Sequence, residues 1–341
     1  MQLSRKTEMN GEKKRVRPLR LIGRILGGIL AALLLFLLVM FIIPLTETGD
    51  RAAVEGSADW MAKLEDSLPL NAIVLPGTHD SATCYVQLGF FSKCQAKSIG
   101  EQLEAGYRYL DIRLAVDGDG MKLMHGFTEC RGGPMPWDSA LRLDEVLEEC
   151  YAFLAEHPTE TIVFAVKQEY GDESVEQFQT VLNGILRKEP EFWLLTDSIP
   201  ELGRARGRLV LMRRYEDEAG LGADAGIPLL WANQNGHDDP TRNSVREDNG
   251  SYVLWVQDRY EYDADDKWNA FTAGLETAGQ GENDTAIHFL STKGTAAYGH
   301  PYAFARRLNP RLMEWQGFSG WIVVDFGSAA MAERIYRSNF D

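Results

Sequence analysis

Eight short apolar runs, nearly all ending in polar residues, constrain this chain more than any other feature. They span residues 72–75 before Pro76, 107–112 before Arg113, 121–124 before His125 and 161–166 before Lys167. Four more follow: 208–212 before Arg213, 252–257 before Asp258, 286–290 before Ser291 and 320–324 before Asp325. Short continuous runs rich in Val, Ile and Leu suit strands buried on both faces. Helical patterns lie between several of them. Ser98 and Glu101 have the spacing of a capping box, with Gly106 as the stop. Val146, Leu147, Cys150, Phe153 and Leu154 share one helix face, as do Val175, Phe178, Val181, Leu182, Ile185 and Leu186. The connections 215–251 and 261–285 are rich in Gly and Asp and read as long loops with partial helix.

Strands alternating with helices imply a parallel sheet. Eight of them predict an α/β fold, a distorted (β/α)8 TIM-like barrel, with an open doubly wound sheet as the alternative. The barrel also accounts for the polar run ends, because barrel enzymes collect their chemistry at the C-terminal rim of the strands.

Ahead of the runs lies an uncharged apolar stretch at residues 25–43, long enough at helical rise to cross one hydrocarbon core. Eight Lys or Arg precede it within the first 24 residues, which keeps the N-terminus cytoplasmic and sends the remainder across. A cleaved signal peptide, giving a secreted protein, is the competing reading. The expected organisation is a basic tail (1–24), a transmembrane anchor (25–45), a polar linker (46–58) and a catalytic barrel (59–341), expected to act as a monomer. From residue 25 onward 27 basic and 48 acidic residues remain, a net of −21. That charge argues against a nucleic-acid partner and against a broad basic face on an anionic membrane. Cys84, Cys94, Cys130 and Cys150 lie in the exported part, where disulfides and free thiols are both open; their spacing is poor for zinc.

The strand ends gather His79, Asp80, Arg113, His125, Lys167, Arg214, Asp258, Tyr260 and Asp325 in one mouth. Two imidazoles suit paired general acid and base work near neutral pH. The planar fork of Arg113 matches the non-bridging oxygens of a phosphate. A carboxylate such as Asp325 can hold an imidazole in one tautomer and stabilise its protonated form. Together these groups describe in-line displacement at a phosphodiester, with no metal or cofactor. His157, His237 and His300 read as structural or exposed, and His288 as core.

The same residues resemble bacterial phosphatidylinositol-specific phospholipase C of the metal-independent type. The resemblance runs from about Leu75 to Ser328. It is carried by Leu75-Pro76-Gly77-Thr78-His79-Asp80-Ser81, Leu110-Asp111-Ile112-Arg113, His125-Gly126, Lys167-Gln168-Glu169-Tyr170, Arg213-Arg214-Tyr215, Val256-Gln257-Asp258-Arg259-Tyr260 and Gly320-Trp321-Ile322-Val323-Val324-Asp325. It implies attack of the inositol 2-hydroxyl on phosphorus, giving diacylglycerol and a cyclic inositol phosphate that is then slowly hydrolysed. His79 is then the base, His125 the acid, and Asp325 orients His79. Arg113 and Asp80 act at the phosphate and leaving group, while Lys167, Arg214, Asp258 and Tyr260 hold the inositol. The expected partner is a phosphatidylinositol-type lipid in a membrane surface.

Arg113 takes the place near which calcium-dependent relatives put ligating acids. Asp111-Ile112-Arg113 also departs from the Glu-x-Asp metal pair of glycerophosphodiester phosphodiesterases. Residues 216–251 carry no recognisable family pattern. Leu88, Phe90, Phe91, Tyr298 and Tyr302 are expected as an apolar rim for lipid access. The same chemistry on a glycosylated inositol lipid or another phosphodiester is an alternative, as is a non-catalytic inositol-lipid binding module.

Overall fold

The structure, a computed structural model, describes residues 5–234, 245–279, 281, 283–293 and 299–340. His237 and Tyr298 lie outside these residues.

A parallel sheet curls around a packed interior. Its strands are β1 (Leu75–Thr78), β2 (Tyr109–Asp117), β5 (Ile162–Gln168), β6 (Trp193–Leu194), β7 (Leu209–Arg213), β8 (Ile227–Pro228), β10 (Val253–Gln257), β11 (Asp284–Phe289) and β12 (Trp321–Val324). The lateral order is β6-β7-β5-β2-β1-β12-β11-β10, with β9 (Val245–Asp248) antiparallel on the free edge of β10. Strand β8 extends the other edge by pairing with the end of β7, Met212 facing Ile227. Helices Leu143–Glu156 and Val175–Leu186 cover β2, β5 and β7. Ala264–Thr277, Pro301–Glu314 and Ala329–Tyr336 cover the other half. The capping box at Ser98 and Glu101 forms as the spacing predicts.

One expectation is corrected. The run 121–124 belongs to β3 (Gly120–His125), which pairs antiparallel with β2 and with the short β4 (Thr128–Glu129). It is therefore a hairpin arm over the mouth and not a barrel strand. Only Asp117 to Gly120 joins it to β2, far too short for a parallel crossover. The distortion of the barrel lies between β8 and β10, which share no backbone ladder among the described residues. They are linked by side chains instead. The Asn249 amide accepts from Leu230 N–H (2.8 Å) and donates to Leu230 C=O (3.2 Å). The Tyr252 hydroxyl donates to Pro228 C=O, and Gln234 donates to Val256 C=O while accepting from Asp258 N–H.

Period-two alternation decides what reaches the site. In β2, Leu110, Ile112 and Leu114 pack outward under the helices. Tyr109 packs inward, putting Asp111 and Arg113 on the same interior column. The paired register is Tyr109 with Val163, Asp111 with Ala165 and Arg113 with Lys167, and then Val163 with Val210 and Ala165 with Met212. Aliphatic residues fill the bottom of the interior, and polar side chains take over one level higher. Gly77 makes this packing possible, because a Cβ there would sit 2.8 Å from that of Tyr109.

The N-terminal helix Arg5–Leu37 continues through Leu38–Ile42 and Ile43–Thr46. Its segment Arg20–Thr46 is long and apolar enough to cross a membrane, which suits a signal or an anchor alike. Residues 46–58, expected as a linker, lie partly against the domain: Glu47 and Ser57 are buried. All four cysteines are free thiols, with only Cys84 partly exposed.

Candidate active site

At the C-terminal end of the sheet a cavity of about 1300 Å³ opens. His79, Asp80, Arg113, His125, Lys167, Arg214, Asp258, Tyr260 and Asp325 all line it, so the strand ends gather every side chain expected there.

Left-handed backbone shapes the rim. His79, His125, Glu169 and Asp325 are each followed by a residue with positive φ: Asp80 (44°), Gly126 (53°), Tyr170 (43°) and Phe326 (49°). Only one of the four is glycine, so three non-glycine residues hold a disfavoured conformation at the ends of strands. The sharp turn stops each strand while the preceding side chain still points over the barrel. Around β1 the turn is secured by buried bonds. His79 N–H donates to Val324 C=O, Ser81 N–H to Asp111 C=O, and Gln95 Nε2 to the carbonyls of His79 and Val324.

Asp80 is the hub. Its carboxylate is fully buried and touches His125 Nδ1 (2.7 Å), Arg113 Nε (2.7 Å) and His79 Nε2 (3.2 Å). Burial alone would raise its pKa, but Arg113 and the two imidazoles outweigh it and hold Asp80 far below the usual carboxylate range. His79 Nδ1 lies 2.8 Å from Asp325 Oδ1. For His79, burial pulls downward, yet the Asp80 and Asp325 carboxylates prevail and raise its pKa to about 9. Burial lifts the Asp325 pKa against the opposing pull of His79. Nε2 of His79 thus faces a donor and an acceptor together, Arg113 Nη2 at 3.0 Å and the Asp80 carboxylate. A neutral ring accepts from the guanidinium, and a protonated ring donates to the carboxylate.

Three further residues support the site although no site role is predicted for them above. Asp111, fully buried, accepts from Arg113 Nη2 (3.2 Å), from Arg214 Nη1 (3.5 Å) and from Asp80 N–H (3.1 Å). An acid inside the apolar run Tyr109-Leu110-Asp111-Ile112 was the available signal. Glu169 contacts Lys167 Nζ (2.5 Å) and Arg113 Nη1 (3.6 Å) and accepts from Gly126 N–H (3.0 Å), tying the hairpin arm to β5. Trp231 stacks under the Arg214 guanidinium at 3.7 Å and donates Nε1–H to Asp258 (3.2 Å). It lies in the patternless stretch 216–251, which offered no signal for it.

On the far wall, the Tyr260 hydroxyl bonds Asn233 (3.0 Å), and Lys293 lies 4.9 Å over the Tyr260 ring. Arg214 Nη2 stands 3.7 Å from Asp258. Among the expected rim residues, Leu88 and Phe91 line the cavity and Phe91 is half exposed. Phe90 stacks on His300 (4.1 Å) and Tyr302 packs on Phe326 (4.9 Å). His157 pairs with Asp59, and His288 is fully buried.

Several site groups have ligand-type atoms close enough to share a cation: His79, Asp80 and Asp111; His79, Cys94 and Asp325; Asp80, Cys94 and His125. Asp80 and Asp111, however, are already bonded to the Arg113 guanidinium. A divalent ion between them would face that fixed charge in a low-dielectric site.

Residues 67–215 match the family model described as phosphatidylinositol-specific phospholipase C, X domain. The chain is 27% identical over 289 residues to a 1-phosphatidylinositol phosphodiesterase of Staphylococcus aureus (strain Newman), covering 79% of this chain and 88% of that one. It is 29% identical over 201 residues to the protein of the same name from Listeria monocytogenes, covering 55% and 59%. A mutant phosphatidylinositol-specific phospholipase C from Staphylococcus aureus superposes with a TM-score of 0.69 at 23% identity, over 83% of this chain and 98% of that one. That likeness shows the shared barrel fold.

Proposed function

We propose, from the premise that residues 67–215 belong to the phosphatidylinositol-specific phospholipase C X-domain family, that this protein cleaves phosphatidylinositol by intramolecular transfer at phosphorus. One observation carries the reading. Two histidines flank a single buried carboxylate–guanidinium pair on the floor of a cavity large enough for a sugar head group.

Each group takes a role that its geometry allows. His79 Nε2 accepts the proton of the inositol 2-hydroxyl while Asp325 holds the Nδ1 proton and stabilises the imidazolium. A ring whose pKa stands near 9 retains the proton it has taken. The 2-oxygen bonds to phosphorus, and the phosphorus–oxygen bond to diacylglycerol breaks. His125, steadied by Asp80, gives its proton to the departing oxygen. The products are diacylglycerol and inositol 1,2-cyclic phosphate. Arg113 stabilises charge gathering on the phosphate oxygens, in a place pre-set by Asp80 and Asp111. Water then opens the cyclic phosphate slowly, with the two histidines exchanging roles. Lys167, Arg214, Asp258 and Tyr260 hold the inositol, and the arginine–tryptophan stack fixes the angle of that wall. Arg113 supplies the fixed positive charge, so the reaction runs without added metal.

The apolar helix acts as an uncleaved single-pass anchor, its basic flank cytoplasmic and the barrel outside, and the barrel works as a monomer. Product analysis on the purified chain tests the reading, using phosphatidylinositol with a chelator present. Cyclic inositol phosphate is the expected product. Its absence sinks the activity, and its loss on chelation alone sinks metal independence.

A further inference from the structure

The end of the apolar helix is gripped by the barrel. Lys93, buried, donates Nζ–H to Pro44 C=O (2.7 Å) and Glu47 C=O (3.1 Å). These carbonyls belong to the last turn and the C-cap of the helix Ile43–Thr46, where a cation is favoured. Lys97, also buried, reaches Asp50 C=O (2.6 Å), and Arg51 bonds Ala96 C=O and Glu101. The Glu47 carboxylate, nearly inaccessible, meets His300 Nε2 at 2.6 Å. A Cβ on Gly89 would collide with Pro44 at 2.9 Å, so the surfaces are fitted closely.

The gripping elements are those of the mouth. His300 stacks on Phe90 and caps the helix that opens with Pro301, while Leu88, Phe91 and Pro301 line the cavity. The apolar span ends within a few residues of the grip, so the mouth's rim is carried at the level where the helix leaves the bilayer. Phe91, Phe127 and Trp137 are exposed; Phe127 also lines the cavity, and the loop before Trp137 lines a small cleft together with Met40, Phe41 and Pro44. Exposed aromatics beside the end of a spanning helix suit the membrane interface.

We propose that residues 44–51 form a rigid clasp that faces the mouth onto the bilayer holding the protein's own anchor, so that it draws inositol lipid from that same membrane. The inference rests on the activity and the uncleaved anchor proposed above. A flexible tether would let the barrel sample any nearby surface; this one fixes its orientation. Diacylglycerol is released into the leaflet that supplied the lipid.

The test reconstitutes the full chain in vesicles containing phosphatidylinositol and mixes them with protein-free vesicles carrying isotopically labelled phosphatidylinositol. Own-vesicle lipid is expected to be consumed about tenfold faster or more, since anchoring sets a high local concentration. Two variants loosen the clasp: the pair Glu47→Ala with His300→Ala, and a flexible Gly-Ser spacer inserted between Thr46 and Glu47. Both are expected to lower the own-to-foreign ratio several-fold while turnover in detergent micelles, where orientation is irrelevant, stays unchanged. A ratio near one for the parent chain overturns the clasp, as does a ratio untouched by both variants with micelle activity intact. No turnover even in micelles defeats the enzymatic reading instead, and the clasp's role falls with it.

Discussion

Arg113 Nε lies 2.7 Å from Asp80 Oδ1, and neither side chain is substantially exposed. The pair is the fixed centre of the site: Asp80 connects outward to both histidines, and Arg113 to Asp111, Glu169 and His79. Removing the guanidinium takes the fixed cation from two buried carboxylates at once, leaving Asp80 to the two imidazoles and Asp111 to Arg214. Its roles in stability and in phosphate stabilisation are therefore coupled.

Arg113→Met is expected to destabilise the fold by about 3–5 kcal/mol, the cost of breaking a buried pair from one side. Adding Asp80→Asn should return part of that loss, a coupling of about 1 kcal/mol or more. Urea unfolding of the two single variants and the double variant measures it. Strict additivity would show that the pair is not an energetic unit. Activity should remain low in all three.

The raised pKa of His79 has a defined sign for stability. A folded-state value near 9 against 6.5 unfolded means that the charged ring stabilises the fold fully below about 6.5. That contribution is lost as pH rises through about 9. The stability gap between the parent and His79→Gln should therefore narrow between pH 6 and pH 9.5. The neutral ring is the base, so kcat/KM should climb over the same interval. Asp325→Asn should shift that limb to lower pH with a lower plateau. An NMR titration of His79 with its midpoint unmoved by Asp325→Asn would refute the account.

If His125 protonates the leaving oxygen, its importance must depend on how much that oxygen needs a proton. With a natural alkoxide leaving group, His125→Ala should cost about 10²–10⁴-fold in kcat. With an inositol phosphate ester bearing an acidic nitrophenol, most of that loss should vanish. His79→Ala should stay impaired on both substrates. Equal impairment of His125→Ala on both would assign it another role.

Trp231 supports Arg214 from below and holds Asp258 from the side. Trp231→Ala frees both and removes a cation–π contact of about 0.5–2 kcal/mol. The expected result is a rise in KM of up to about tenfold with kcat little changed. A fall in kcat with constant KM would move Trp231 from binding into the chemical step.

Parallel strands were legible because their interiors are apolar on both faces, and the site because the barrel rim forces strand ends together. His79 and Asp325 are adjacent through the β1–β12 pairing, whose register no pattern in the residues states but whose existence the barrel requires. Asp111 and Glu169 are harder to read, since each serves by contacting other side chains and neither ends an apolar run. The hairpin arm was misread because an apolar strand packed against helices has the same composition whether it runs parallel or antiparallel. Trp231 was illegible because its role depends on a loop brought back over the barrel by Asn249 and Gln234.

Those two amides and Tyr252 have a mechanical consequence. A ring of strands joined by a backbone ladder resists opening everywhere, whereas this ring, among the described residues, is held along the β8–β10 line by side chains such as these. Local unfolding should start along that line, and the amides of Leu230 and Asp258 should exchange hydrogen before those of β2 and β5. His79, Arg113 and Asp325, at β1, β2 and β12, lie across the sheet from that line, as does the hairpin arm β3 that carries His125. Trp231 and Asp258 face each other across that line, so loosening it would first disturb the wall that carries Arg214, leaving intact the β1–β12 ladder that sets His79 beside Asp325.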